Sequence, residues 1–305
     1  MRKYPFLALF FISLSFISNK LNAQWYEMGL MIGGSNYIGD ISPDGMAPQE
    51  YNLSFGIHGR YNYNKFVSFK AFFNKAQISG NDKNNSYLSG LRERNLSFRS
   101  TILEMGIVNE FNLTPYHPRD EKSAVPYIFA GISGFYYNPQ AEFKGSWYDL
   151  RPLGTEGQGN LISNSKPYSS IGFAIPFGFG FKWNINQQIN LGAEFGMRLA
   201  VTDYLDDISG RYPDIDVLKT NDPLAATLSF RTPEFMAEPM ANPQGDMRGN
   251  PDTNDWYFIG GITLSINLTD KYGMEWEEKF KQFSTDDREP FFGRKKRVVK
   301  YRSDE

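Results

Sequence analysis

Several aspartates that could do chemistry lie close together after residue 202: Asp203, Asp206, Asp207, Asp214 and Asp216. Carboxylate oxygens grouped in this way could bind calcium, and two neighbouring carboxyl groups could act as an acid–base pair. The central glycine and terminal glutamate of the helix–loop–helix calcium site are absent. Aspartate and glycine also form turns with their own backbone. The segment from Asp203 to Gly210 therefore favours a structured loop, with a cation site or an aspartyl pair as open alternatives.

Other reactive groups are scarce. The chain has His 2 and Cys 0, which excludes disulfide scaffolds, thiolate metal sites, cysteine nucleophiles and a lipoprotein anchor. We expect His58 on the inner face of a strand and His117 in a short turn, and neither is near the long loops that could form a cleft. Residues 154–159 have the glycines of a dinucleotide site but do not join a strand to a helix. The sequence therefore predicts no enzyme activity, no cofactor and no metal site.

The charge balance also limits the partners. Lys+Arg 32 against Asp+Glu 34 gives a net charge of −2, so the chain lacks the basic surface of a nucleic-acid-binding protein. No Ser–His–Asp pattern or phosphate-binding loop is present. We expect neither nucleic acid nor a small-molecule substrate as a partner.

Residues 1–23 have the three parts of a secretory signal peptide. Arg2 and Lys3 precede an apolar stretch over 6–17, and Ala23 ends a plausible cleavage site. The apolar stretch is shorter than the roughly 20 residues of a membrane-spanning helix, although an uncleaved anchor is the alternative. Cleavage removes three basic residues and no acid, which changes the net charge from −2 to −5.

After residue 24 the apolar pattern repeats every second residue, which is typical of β-strands. Between 171 and 181, for example, every odd position is Ile or Phe and every even one is Gly, Ala or Pro. Each such segment is long enough for the about 9–11 residues with which a tilted strand crosses a bilayer. Eight strands are predicted: 25–35, 51–63, 66–79, 98–113, 125–138, 169–183, 189–202 and 255–268.

Long connections alternate with short ones along the chain. Residues 36–50, 80–97, 139–168 and 203–254 form long loops, and the other connections are shorter. An even number of strands with long loops at one end and short turns at the other is typical of outer-membrane barrels. This arrangement predicts that both termini lie on the periplasmic side.

The two faces of the predicted strands differ in composition. Large apolar residues on one face would contact lipid, while Gly, Ser, Asn and single charges on the other would fit the narrow interior of an eight-stranded barrel. The predicted interior charges are Arg60, Lys70, Glu104, Glu110, Lys182, Glu194 and Arg198. Aromatic residues near strand ends match the girdles at the lipid–water boundary: Trp25, Tyr26, Tyr61, Tyr63, Trp183 and Trp256.

The sequence thus predicts an all-β fold, an eight-stranded antiparallel transmembrane β-barrel over 24–268 with long extracellular loops. A soluble exported β-sandwich is the alternative. Pro176 lies inside a predicted strand and indicates a β-bulge there. The proline-rich loop 203–254 is too long to be structureless, so we expect it to pack on the barrel or on a partner.

Residues 269–305 form a C-terminal tail that the topology places in the periplasm. Trp276, Phe280 and Phe283 are spaced as on one face of a short helix, and a basic run follows: Arg294, Lys295, Lys296 and Arg297. The tail is either a docking element or a solvated extension.

Six short segments have distinctive sequences: 35–40, 151–159, 175–183, 203–210, 248–250 and 254–257. Together they resemble the PorG family, the outer-membrane barrels of the type IX secretion and gliding machinery of Bacteroidetes-type bacteria. The resemblance implies a non-enzymatic subunit of the cell outer membrane that tethers a periplasmic ring of proteins similar to PorK and PorN, and it supplies no catalytic residues.

Two other functions stay open at this point. An outer-membrane enzyme, a protease or a lipid-modifying barrel, could use Asp203, Asp206 and Asp207 at the outer rim. A pore is the third possibility, although eight strands leave an interior that side chains fill.

Overall fold

The computed structural model describes residues 25–85, 90–118, 123–159 and 166–268. The predicted signal peptide and the C-terminal tail lie outside the described residues. Long antiparallel strands form a single sheet of order β4-β3-β2-β1-β9-β8-β7-β5-β6. The strands are β1 (Trp25–Ile38), β2 (Asn52–Asn62), β3 (Val67–Asn81), β4 (Ser97–Asn112), β5 (Ala124–Phe143), β6 (Ser146–Asp149), β7 (Ile171–Asn184), β8 (Ile189–Ala200) and β9 (Trp256–Asn267).

The sheet closes on itself because β4 also pairs with β5. Every long strand therefore has two hydrogen-bonded neighbours, and only β6 lies outside the ring as an extension of β5. The fold class predicted from the sequence, an eight-stranded antiparallel barrel, is confirmed. Glu27 at the start of β1 lies opposite Asn267 at the end of β9. The chain thus enters and leaves the barrel at one end, which we call the short-turn end, opposite the long-loop end.

Two details of the strand prediction are wrong. Residues 139–143 belong to β5 rather than to a loop, and β5 turns back into β6 through Lys144 and Gly145, which have φ of 51° and 80°. The extension persists beyond the barrel because Ala141 packs there against Leu150 and Leu228.

The β-bulge expected at Pro176 is also absent. Pro176 pairs with Arg198 in an unbroken β7–β8 register, and the β5–β7 register is the same on both sides of the proline. Only the pairs of 175 and 176 with β5 are missing. Because proline has no N–H, it removes ladder hydrogen bonds on one side without shifting the strand.

The outer face of the ring is apolar and exposed. Leu53, Ile132 and Phe173 each have 67–69% of their surface exposed, and such side chains follow every strand of the ring. Soluble monomers rarely expose a continuous apolar belt, so this surface is one that contacts lipid. At the short-turn end Tyr26 and Tyr61 pack at 5.0 Å between ring centroids, as expected for an interfacial girdle. None of the helices in the described residues has the length and apolar character to cross a bilayer.

The long loops carry short helices: α1 (Leu91–Arg94), α2 (Leu150–Leu153), α3 (Ile215–Asn221), α4 (Pro223–Ser229) and α5 (Thr232–Met236). The side chains of Asp214 and Asp222 each accept hydrogen bonds from two backbone N–H groups in the first turn of α3 and α4. These side-chain caps begin the two helices. A proline is the first residue of α4 and another lies in the first turn of α5, which are positions that proline favours. Loop 201–255 therefore folds as a compact cap and packs on the barrel, as expected.

Candidate functional site

The half of the barrel interior nearer the short-turn end is filled by charged side chains grouped around Glu110. Its carboxylate contacts Arg60 at 2.8 Å, Lys182 at 2.6 Å and Lys70 at 3.5 Å. All four side chains are at most 5% exposed. A single carboxylate thus lies between three cations that come from three different strands.

Two further glutamates neutralise the positive charge that remains on these three cations. Glu27 accepts from Arg60 at 2.5 Å, and Glu194 pairs with Lys70. Neutral donors occupy the remaining oxygens, since Tyr116 donates to Glu27 and Tyr127 donates to Glu194 at 2.9 and 2.6 Å. Buried carboxylates are tolerated when every oxygen has such partners.

A second ion pair lies deeper in the barrel. Arg198 faces Glu104 at 3.4 Å, and Tyr257 and Ser133 donate to the same carboxylate at 3.1 and 2.9 Å. In the described part of the barrel, the interior charges are four acids and four bases: Glu27, Glu104, Glu110, Glu194, Arg60, Lys70, Lys182 and Arg198. The barrel therefore carries no net formal charge on these eight residues and leaves them little contact with water.

The short-turn mouth is covered by residues 113–118. Tyr116 is 2% exposed and inserts its ring beneath the opening, with its hydroxyl on Glu27. Asn267 donates to the carbonyl of Pro118 at 3.0 Å, and Asn184 donates to that of His117 at 2.8 Å. This turn is thereby tied to β7 and β9 across the mouth.

The long-loop mouth is closed by apolar side chains from the cap. Leu205 and Ile208 are 0% and 1% exposed and belong to one apolar cluster with strand residues such as Phe98, Ile102 and Phe135. The interior near this end is consequently apolar rather than lined by Gly, Ser and charges as expected from the sequence. Loop and barrel share one core there, as in a soluble domain.

Above this core a polar network joins the loops. Arg248 donates to Glu156 at 3.0 Å and to the carbonyl of Asp207 at 2.6 Å. Tyr168 donates to the Asp207 carboxylate at 2.7 Å, and Thr155 also bonds to it. The Glu156 carboxylate accepts from the backbone N–H groups of 209 and 210. The loop between β6 and β7 and the loop between β8 and β9 are thus held together by buried hydrogen bonds.

A second part of the network ties the cap to β1. The hydroxyl of Tyr37 lies 2.5 Å from Asp206 and 3.1 Å from Asp255. Arg94 holds Asp82 with two hydrogen bonds of 2.7 and 2.8 Å and also donates to the carbonyl of Asp40. The Asp40 carboxylate accepts the backbone N–H of residue 250.

Acids outnumber bases in this cap network. Its carboxylates are Asp40, Asp82, Glu156, Asp203, Asp206, Asp207 and Asp255, and the arginines that form ion pairs with them in the described part of the chain are Arg94 and Arg248. Burial raises the pKa of Asp203 to about 7, and the nearby carboxylates of Asp40 and Glu156 add to the rise. Burial also raises the pKa of Asp40 and Asp207 to about 6, because hydrogen bonds and arginine charges only partly offset the loss of water. Burial also raises the pKa of Asp206 and Asp255 well above the ordinary value.

The structure places the residues singled out from the sequence in two locations. Asp203, Asp206, Asp207 and Gly210 lie in the cap, where the aspartates are at most 9% exposed, and the seven predicted interior charges point into the barrel. The tail residues Trp276, Phe280, Phe283, Arg294, Lys295, Lys296 and Arg297 lie outside the described residues. Among the residues that are described, no three or more His, Asp or Glu side chains are arranged to hold a metal ion.

Sequence reasoning missed several members of both networks. Glu27 falls on the inner face of β1 by simple alternation and belongs with the other interior charges. Tyr37, Glu156, Arg248 and Asp255 all lie in the short segments that carry the family resemblance. The sequence shows these four residues in separate segments. That they contact one network becomes apparent only when the barrel is closed, because closure brings the loops together.

The fold and these networks define a class: a transmembrane β-barrel of eight strands, with a filled interior and a folded cap. Residues 5–150 match a family model described as a domain of unknown function (DUF6089). No curated protein matches the chain.

Solved structures that are similar in part include bacterial barrels. Ail, the attachment invasion locus protein of Yersinia pestis, is 8% identical with a TM-score of 0.38 and covers 81% of this chain and 100% of its own. Neisserial surface protein A is 9% identical with a TM-score of 0.38 over 80% and 99%. The N-terminal β-barrel domain of Pseudomonas aeruginosa OprF is 8% identical with a TM-score of 0.33 over 80% and 97%.

Proposed function

We propose that this protein is a non-enzymatic barrel of the bacterial outer membrane that anchors a protein secretion machine of the type IX class. Its long-loop cap faces outward, and its short-turn end and tail face the periplasm. There it tethers a ring of proteins similar to PorK and PorN. The observation that carries the proposal is the closed interior: paired charges fill one half, and the cap fills the other.

A filled barrel favours an anchoring role over a pore. The interior side chains of Glu110, Arg60 and Lys182 are 3% exposed or less, so no continuous water path runs through them. The resemblance to the PorG family supports the same role. Residues from five of the six segments that carry this resemblance meet in the cap network, which supports it further.

The enzyme alternative depends on loop aspartates that a substrate can reach, and the structure buries them. Asp206 and Asp207 are 1% and 0% exposed, and their oxygens accept hydrogen bonds from Tyr37, Tyr168 and the backbone N–H of Ile208. A catalytic carboxylate must reach its substrate. These aspartates hold loops together instead.

Affinity purification of the intact protein from solubilised outer membranes tests the proposal. We expect the periplasmic ring proteins to co-purify with it, and purification of the barrel without them would contradict the tethering role. Deletion of residues 270–305 then tests whether the tail contacts the ring proteins. The deletion variant must still insert, which the mobility of the unheated barrel on a gel reports.

Two substitution sets locate the contact within the tail. Replacing Trp276, Phe280 and Phe283 with alanine removes the apolar face, and replacing the four basic residues 294–297 with alanine removes the charge. We expect the first set to abolish recovery of the ring proteins if the tail docks as an amphipathic helix. Full recovery with both sets and with the deletion would place the contact on the short turns.

A further inference from the structure

Two buried carboxyl groups in the cap face a single phenolic hydroxyl. The oxygen of Tyr37 lies 2.5 Å from Asp206 Oδ2 and 3.1 Å from Asp255 Oδ1, and the three residues are at most 1% exposed. A phenol carries one hydrogen, so it can donate to only one of the two carboxylates. The other carboxylate then faces an oxygen lone pair.

The remaining oxygens of the pair are already used. Asp206 Oδ1 accepts the backbone N–H of Ile208 and Asp255 Oδ2 accepts that of Leu205, each at 2.9 Å. With both carboxyl groups ionised, the contact between Asp255 Oδ1 and Tyr37 would bring together two acceptors. A proton on the pair removes this conflict, because Asp255 can then donate to Tyr37 while Tyr37 donates to Asp206.

The surroundings supply little positive charge to the pair. Arg94 faces Asp206, but its guanidinium is engaged by Asp82 and by two backbone carbonyls. The other titratable groups that face the pair are acids or phenols: Asp40, Asp203, Tyr137 and Tyr168. Like charges held this close cannot all ionise without cost.

We propose that Asp206 and Asp255 share one proton across Tyr37 and that the loss of this proton opens the cap. The pair joins three segments: the end of β1, the loop 203–210 and the start of β9. It acts as a pH-sensitive latch, closed when the shared proton is bound. The latch would regulate the opening of the cap at the long-loop end of the barrel, and it does not depend on the proposed tethering function.

The direction of the effect follows from linkage. Burial raises the pKa of both carboxyl groups in the closed cap, so the closed form binds the proton more tightly than the open form. Closure is strongest at low pH and weakens as the pH rises through the raised pKa. The open fraction should grow about tenfold per pH unit for each proton released.

Infrared spectroscopy tests the shared proton directly. At pH 8 we expect the lipid-reconstituted protein to show the C=O stretch of a protonated carboxylic acid, and we expect Asp255→Asn to lack it. Asp252→Asn is the matched control, since Asp252 is exposed and three residues away. A wild-type spectrum without the band, or one that keeps it in both Asp255→Asn and Asp206→Asn, would overturn the proposal.

Hydrogen exchange tests the opening. Asparagine at 255 can accept from Leu205 and donate to Tyr37, so it imitates the protonated acid. We expect exchange of residues 203–210, corrected for the intrinsic effect of pH, to be at least about tenfold slower in Asp255→Asn than in wild type at pH 9. Equal exchange in both would overturn the latch. If Asp255→Asn fails to insert, Asp206→Asn provides the same comparison.

Discussion

The barrel interior and the loop cap both bury many charged side chains, but they neutralise them differently. In the interior four acids face four bases, and Glu110 alone contacts three cations. In the cap seven acids lie near two arginines. Several of the carboxylate oxygens accept from hydroxyl and backbone N–H groups, and Asp203 Oδ2 is buried with no hydrogen-bond partner among the described residues. In the interior each acid has a base in contact, whereas burial of carboxyl groups without such charges favours the protonated form. The cap should therefore respond to pH.

The largest expected effect comes from breaking the interior balance. Glu110→Gln leaves Arg60, Lys70 and Lys182 with one carboxylate fewer, and removing one partner of a buried ion pair costs about 3–5 kcal/mol. Urea unfolding of the lipid-reconstituted barrel measures the change. Glu142→Gln, the same replacement at an exposed position of β5, is the control. Similar unfolding of both variants would show that the interior pairs contribute little.

A smaller and local effect is expected in the cap. Arg248 is 3% exposed and donates to Glu156 and two carbonyls, so Arg248→Gln should cost the cap about 2–3 kcal/mol of stability. Hydrogen exchange of loop 203–254 should rise while that of β4 stays unchanged. Arg211→Gln, at an exposed site, is the control. Loss of protection in β4 as well would mean that cap and barrel unfold as one unit.

A glycine-to-alanine substitution tests how tightly the cap packs against the end of β1. A Cβ atom on Gly39 would overlap Asp255 and the Tyr37 hydroxyl, whereas one on Gly34 would have its nearest neighbours at 3.5 Å. Gly39→Ala should therefore destabilise the cap by about 1–2 kcal/mol, and Gly34→Ala should not. Exchange rates of residues 203–210 in the two variants give the comparison. Equal rates would show that the junction can relax.

A further expected effect is the part of the pH response that comes from Asp203. Its pKa rises from 3.8 to about 7 in the folded cap, so it adds stability at low pH that is lost as the pH rises from about 4 to about 7. Asp203→Asn should flatten this part of the response in exchange of 203–210. Exchange of strand β4, corrected for the intrinsic effect of pH, should be the same in the two proteins, and a difference there would mean that Asp203 affects the barrel as well as the cap.

Much of the fold could be predicted from the sequence because strand alternation and loop length are local signals. The eight long strands, the lipid-facing residues such as Phe173 and the inward direction of Glu110 all follow from a period of two. The cap could be predicted only as a folded loop. Its contacts join residues such as Tyr37 and Asp255, which are 218 positions apart, and no local pattern reports which segments meet above a closed barrel. The apolar upper interior was missed for the same reason, since Leu205 comes from a loop rather than a strand.

The central claim is that this barrel is sealed, whatever the state of its cap. Planar-bilayer recording of the intact protein at pH 5 and at pH 9 tests it most directly. Because the charges around Glu110 and the Tyr116 turn fill the interior independently of the cap, we expect no stable current steps at either pH. Stable steps at both values would contradict the filled interior, and steps at pH 9 alone would show that the cap, rather than the charged interior, closes the barrel.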